Sequence, residues 1–247
     1  MDDADLSPIS PRFRAVTFDF GQTLAELDTA MLRGRLAERG LPTSTEALDA
    51  SVPFAWAAYN AAIRAGHGGH PWKLLMATLL GRAGIDDGAV GPTVDWLLEL
   101  QPGSNLWRRP IAGMIEVVRD LRGRGVPVGV VSNSEGGLAG LIAEMGWAAE
   151  FDAVADSGVL GMEKPDRAIF DWTAARLGVP LAETVHVGDA WAADYLGALG
   201  CGMGAVLFRG EAFVPPGIRV GEGGREASCT TPEGLREALR GWGLLGP

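Results

Sequence analysis

Short apolar runs alternate with amphipathic stretches through the second half of the chain. Three runs are typical of buried strands: VPVGVVSNS (126–134), ETVHVGDA (183–190) and GAVLF (204–208). Two stretches that lie before such runs, AGMIEVVRDLRGRG and DRAIFDWTAARLGV, place apolar residues at steps of three and four, as helices do. This alternation predicts an α/β fold with a parallel sheet and crossover helices.

The stretch 28–102 has a different pattern. It shows helical periodicity interrupted by Gly and Pro, and it contains no run typical of a strand. We therefore predict a helical insert between the first strand and the rest of the sheet. The predicted division is a core of residues 1–27 and 103–247 around an insert of residues 28–102.

Polar residues stand where the apolar runs end. The run AVTF (15–18) meets Asp19, the run VGVVSN ends in Ser132 and Asn133, and ETVHVGDA contains Asp189. Because open α/β sheets bind ligands beyond the carboxyl ends of their strands, these residues are candidates for one site. A carboxylate in such a position is typical of a nucleophile or a metal ligand.

Composition narrows the function classes. The chain has 247 residues, of which 47% are hydrophobic, and a formal charge of −10. The acidic balance argues against capture of nucleic acid or of an anionic membrane surface, because both need a basic face. No apolar run approaches the ~20 residues of a membrane span, and the acidic start MDDADLSPISPRF differs from a signal peptide. We expect a cytoplasmic protein with neither nucleic acid nor membrane as a partner.

Four motifs follow one another in a recognisable order over about 15–208. They are the Asp19 strand end, the run ending in Ser132, the segment GMEKPDRAIF around Lys164, and VGDAWAAD with Asp189 and Asp194. In this order they resemble the motifs of the haloacid dehalogenase-like (HAD) hydrolases. The resemblance implies a Rossmann-like parallel sheet core with an inserted helical cap, and the stretch 28–102 matches the position of that cap.

The resemblance also implies a role for each motif residue. Asp19 is expected to be the nucleophile that forms an aspartyl-phosphate. Ser132 is expected to donate its hydroxyl to a phosphoryl oxygen, with Asn133 as a further substrate contact. Lys164 is expected to neutralise the phosphate and Asp19 together.

The metal site implied by the resemblance consists of oxygen ligands. Asp189 and Asp194 are expected to join Asp19 and the backbone carbonyl of Gly21. Hard oxygen donors of this kind suit Mg²⁺ better than a metal that prefers thiol or imidazole ligands. We therefore expect Mg²⁺ as the cofactor.

Gly21 departs from the pattern of most phosphatases in this family, which have an aspartate there as general acid and base. Glu26 and Asp28, just past the first motif, are candidates to replace that group, although ordinary turn residues are the alternative. The family also includes phosphatases with Gly at this position, dehalogenases that need no metal, and phosphonate hydrolases that use a cap lysine. In this chain Lys73 is the candidate for that lysine.

The leading hypothesis is a Mg²⁺-dependent hydrolase of a small phosphorylated metabolite. The alternative is a catalytically weak phosphate- or metabolite-binding protein on the same fold. Dehalogenase and phosphonatase chemistry are less favoured hypotheses. Lys73 is also predicted to bind substrate, because Arg64, His67 and His70 gather with it around a Gly-rich loop of the insert. A solvated connection between helices is the competing interpretation of that loop. The sequence gives no oligomeric state.

Overall fold

The computed structural model describes residues 13–65, 71–211 and 214–246. Its centre is a six-stranded sheet in the order β5-β4-β1-β6-β7-β8, in which all neighbouring strands are parallel. The strands are β1 (Ala15–Phe18), β4 (Val128–Ser132), β5 (Ala153–Asp156), β6 (Thr184–Gly188), β7 (Gly204–Phe208) and β8 (Glu226–Cys229). This sheet confirms the predicted Rossmann-like α/β class.

Helices cover both faces of the sheet, which is why its strands are continuous apolar runs. In β4, Val130 packs into the core on one face and Val131 into the core on the other. The same alternation places Val206 and Leu207 of β7 on opposite faces. The helices of this part are α5 (Met114–Gly123), α6 (Leu138–Glu144), α7 (Ser157–Leu160), α8 (Arg167–Leu177), α9 (Gly197–Gly200) and α10 (Pro232–Gly241).

The described residues of the predicted insert form four helices with a core of their own. They are α1 (Thr29–Glu38), α2 (Thr45–Arg64), α3 (Trp72–Arg82) and α4 (Asp87–Leu100). Leucines such as Leu36, Leu48 and Leu79 are fully buried in this cluster. The periodicity of 28–102 therefore comes from helices that pack on one another.

The segments before and after this helical region pair as a two-stranded antiparallel ribbon. Its strands are β2 (Ala25–Leu27) and β3 (Trp107–Pro110), and Glu26 lies opposite Arg109. This ribbon was not predicted from the pattern of apolar residues, because its strands are three and four residues long and β3 carries two arginines. The domain boundaries at 27 and 103 stay a prediction. No helix among the described residues has both the length and the apolar composition needed to cross a bilayer.

Candidate active site

Three strand ends bring the predicted polar residues to one edge of the sheet. Asp19 follows β1. Ser132 ends β4 and Asp189 follows β6, and these two strands flank β1 on its two sides. The backbone N–H of Asp19 donates to the carbonyl of Val187 at 2.8 Å, so pairing with β6 continues up to the carboxylate. All three side chains line one pocket of about 100 Å³.

Lys164 reaches this pocket from the segment before α8. The side-chain amide of Asn133 holds the Lys164 backbone, because its Nδ2 donates to the Lys164 carbonyl at 2.9 Å and its Oδ1 accepts from the Lys164 N–H at 2.8 Å. Lys164 Nζ donates to Asp19 Oδ1 at 2.5 Å and to Asp194 Oδ1 at 2.6 Å. The geometry thus gives Asn133 a positioning task, and its direct contact with substrate stays a prediction.

Asp194 is fixed by the π-helical turn Trp191–Leu196. Its Oδ2 accepts from the Ala190 N–H at 2.9 Å, and its carboxylate lies against Gly188. A Cβ at position 188 would be 2.3 Å from Asp194 Cγ, so only glycine leaves room for this carboxylate. The Gly-Asp pair at 188–189 therefore has a packing reason as well as a chemical one.

His186 lies behind Asp194 in β6 and is fully buried. Its Nε2 is 3.1 Å from Asp194 Oδ1, and its Nδ1 is 2.9 Å from the Thr17 hydroxyl. Burial lowers the pKa of His186, which favours the neutral ring. A neutral ring that donates from Nε2 to Asp194 accepts from Thr17 at Nδ1, so His186 positions Asp194.

The carboxylates carry more negative charge than Lys164 can neutralise. Ligand oxygens of Asp19, Asp189 and Asp194 all lie within 4.8 Å of one another. Burial raises the pKa of Asp19 to about 6 despite the attraction of Lys164, and burial with the charges of Asp19 and Asp194 raises the pKa of Asp189 well above 3.8. Lys164 and His186 outweigh burial at Asp194 and hold its pKa below the usual range. An all-oxygen set with excess negative charge fits a divalent cation such as Mg²⁺.

A family model described as haloacid dehalogenase-like hydrolase matches residues 13–202 of this chain. The chain belongs to the HAD-like hydrolases.

Individual relatives agree with this membership. Haloacid dehalogenase-like hydrolase domain-containing protein 3 from Bos taurus is 32% identical over 158 residues, which are 62% of this chain and 62% of that protein. Glyceraldehyde 3-phosphate phosphatase from Methanothermobacter thermautotrophicus is 33% identical over 107 residues, 42% of this chain and 46% of that protein. The chain thus aligns with less than two thirds of the length of these relatives.

Solved structures show the same fold. The HAD hydrolase YfnB of Bacillus subtilis, solved with bound magnesium, has a TM-score of 0.65 at 19% identity and covers 92% of this chain and 99% of that chain. A HAD family hydrolase of Deinococcus radiodurans, solved with phosphate and sodium, has a TM-score of 0.59 at 24% identity, with 96% and 99% covered. These likenesses confirm the architecture of the HAD core.

Within this HAD site, Gly21 lies against the ring of Trp107 from the β2–β3 ribbon. A Cβ at position 21 would be 3.3 Å from Trp107 Cδ1 and 3.6 Å from its Nε1. Both residues line the pocket that holds Asp19. The indole therefore borders the position at which the resemblance implied a second aspartate in most phosphatases of the family.

The carboxylates predicted to replace that aspartate have other partners. Glu26 pairs with Arg109, at 3.1 Å between Oε1 and Nε, and Asp28 caps α1 by accepting from the Met31 N–H at 2.8 Å. Neither residue lines the pocket with Asp19. The replacement proposed for Glu26 and Asp28 therefore has no support in the geometry.

Lys73 lies outside the pocket of the carboxylates. Its Nζ pairs with Asp95 Oδ1 at 2.6 Å, and both side chains are about 60% exposed. It borders an adjoining cleft of about 430 Å³ that shares Trp72 and Glu135 with the pocket. A role in binding substrate stays a prediction for Lys73, and His67 and His70 lie outside the described residues.

Most of the pocket wall was not expected from the sequence. Glu135 lines it together with five aromatic residues, Phe20, Trp56, Tyr59, Trp72 and Trp107. Trp56 and Tyr59 are one helical turn apart in α2, but such a pair is equally typical of helix packing. Burial, followed by the charge of Asp189, raises the pKa of Tyr59, and burial raises the pKa of Glu135.

Proposed function

We propose that this protein is a Mg²⁺-dependent hydrolase of a small phosphorylated metabolite of the cytoplasm, acting through an aspartyl-phosphate at Asp19. The observation that carries the proposal is the carboxylate cluster of Asp19, Asp189 and Asp194, with Lys164 Nζ bonded to two of its members. The phosphatase among its relatives supports a phosphate ester as the substrate class.

In the first step, a carboxylate oxygen of Asp19 attacks phosphorus while the bond from phosphorus to the leaving oxygen breaks. Lys164 lowers the repulsion between the anionic nucleophile and the anionic substrate. Ser132 stands at the pocket to donate its hydroxyl to a phosphoryl oxygen. Mg²⁺, held by the three aspartates with the Gly21 carbonyl, would supply charge neutralisation for the transferred group.

In the second step, water displaces Asp19 from phosphorus and releases inorganic phosphate. This step and the departure of the leaving group each require a proton transfer, for which Gly21 has no side chain. General acid and base catalysis contributes about 10²–10⁴-fold to a rate. We therefore propose slow turnover of alkyl phosphates and faster turnover of esters whose leaving group needs little protonation.

Gly21 also favours a second candidate, a phosphate- or metabolite-binding protein with weak catalysis. Dehalogenase chemistry has less support, since it needs no metal and this chain gathers two further carboxylates, Asp189 and Asp194, around Asp19. Phosphonatase chemistry would require Lys73 at the reacting centre, and Lys73 is paired with Asp95 in the adjoining cleft.

Turnover of p-nitrophenyl phosphate and acetyl phosphate with Mg²⁺ separates these candidates. Hydrolysis that stops in chelator, returns with Mg²⁺ and is absent in Asp19→Asn supports the phosphohydrolase. Binding of inorganic phosphate without turnover supports the binding protein instead. Release of halide from a 2-haloacid in chelator would replace both with a dehalogenase.

A further inference from the structure

We propose that the leaving group of the substrate is a flat, uncharged ring. Its binding site is an aromatic compartment formed by Trp56, Tyr59, Trp72 and Trp107. The inference rests on the proposed function in one respect, because Asp19 marks where the phosphoryl group binds.

The compartment lies directly beside the carboxylate cluster. Trp107 borders Gly21, two residues after Asp19, and its ring centroid is 6.4 Å from that of Trp72. The Trp56 and Tyr59 centroids are 5.0 Å apart with their planes at 69°. Aromatic walls favour flat rings, since offset and edge-to-face ring pairs are attractive beyond the area that they bury.

The charges of the pocket exclude an anionic leaving group. Its charged side chains among the described residues are Asp19, Glu135, Lys164, Asp189 and Asp194. Lys164 is already bonded to two aspartates, and Lys73 in the adjoining cleft is paired with Asp95. A second phosphate or a carboxylate on the substrate would lose its hydration without gaining a cationic partner from the described side chains.

Aromatic walls also attract a quaternary ammonium. The test of the neutral ring therefore includes a cationic analogue.

Binding of non-hydrolysable phosphonates in Mg²⁺, measured by calorimetry, tests this assignment without turnover. Benzylphosphonate should bind at least tenfold more tightly than methylphosphonate, and about three- to tenfold more tightly than cyclohexylmethylphosphonate, which has similar area but no π-system. A 4-carboxybenzyl analogue should lose most of the gain.

Two matched variants locate the effect in the compartment. Trp56→Leu should lose most of the preference for benzyl over methyl. Trp96→Leu changes a half-buried tryptophan of the same helical region that does not line the pocket, and it should keep the full preference.

The outcomes separate this inference from the proposed function. Equal binding of benzyl- and methylphosphonate, or no binding of either, overturns the compartment even where phosphate esters are hydrolysed. If 2-(trimethylammonio)ethylphosphonate binds most tightly, the assignment of a neutral ring is wrong and the compartment binds a cation. If the phosphonates bind in the expected order but benzyl phosphate is not hydrolysed, the result supports the aromatic compartment and rejects the phosphohydrolase function.

Discussion

Replacing Gly21 with aspartate tests what the absent side chain costs the enzyme. The new Cβ would meet Trp107 Cδ1 at 3.3 Å, a few tenths of an ångström closer than an ordinary contact. Overpacking typically costs about 1–3 kcal/mol, and so small a shortfall places this change near 1 kcal/mol. A working acid and base lowers barriers by about 3–5 kcal/mol, so the catalytic gain should outweigh the strain.

Rapid mixing of p-nitrophenyl phosphate with enzyme and Mg²⁺ measures both steps. In the wild type the good leaving group makes the first step fast, so a burst of p-nitrophenol should precede a slower steady state. Gly21→Asp should shrink the burst and raise the steady rate on the order of 10²-fold. Gly21→Asn is the matched control, because it presses on Trp107 equally but transfers no proton.

One set of results would refute this reasoning. A wild type without a burst that hydrolyses alkyl phosphates well, together with no difference between Gly21→Asp and Gly21→Asn, would mean that another group transfers the protons. Glu135 would then be examined first, because it lines the pocket and burial raises its pKa.

Three further predictions concern charge and positioning. Burial raises the pKa of Asp19 from 3.8 to about 6. In chelator, the folded protein therefore binds one more proton than the unfolded chain at pH values between these two. As the pH rises through that window, the wild type should therefore lose on the order of 2 kcal/mol of unfolding free energy relative to Asp19→Asn. Urea titrations measure this difference, and a difference that does not change with pH would count against the raised pKa of Asp19. His186→Asn removes a hydrogen bond to Asp194 and should raise the Mg²⁺ concentration for half-maximal activity about 10- to 100-fold with little change in kcat, whereas an unchanged Mg²⁺ titration would deny the positioning role. Lys73→Ala breaks an exposed pair with Asp95 and should change KM for p-nitrophenyl phosphate by less than about twofold, while a large rise would place Lys73 at the phosphate.

The sequence was most informative where strands are buried on both faces. The runs that became β4, β6 and β7 are apolar throughout, and polar residues at their ends mark the sheet edge that binds ligands. This is why Asp19, Ser132 and Asp189 could be expected at one place. Lys164 stands on no strand, and only the order of the motifs indicated it.

The rest of the pocket depends on contacts between distant parts of the chain. Trp107 contacts Gly21 because the ribbon pairs β3, which contains Trp107, with β2, which follows Gly21. Neither short strand has a residue pattern that predicts this pairing. Trp56 and Trp72 have the spacing of ordinary helix packing, so nothing local separates a pocket wall from a core. Glu26 likewise pairs with the distant Arg109, whereas Asp28 has a local partner, the Met31 N–H of α1.

Trapping the covalent intermediate tests the central claim most directly. The enzyme is mixed with p-nitrophenyl phosphate and Mg²⁺, quenched in acid within the burst, and reduced with borohydride, which converts an aspartyl-phosphate to homoserine. Peptide mass spectrometry should then find homoserine at position 19 and nowhere else, and no such product after omission of substrate or in Asp19→Asn. Rapid substrate turnover with Asp19 unmodified at every quench time, in an enzyme whose Asp19→Asn variant keeps its activity, would contradict the account.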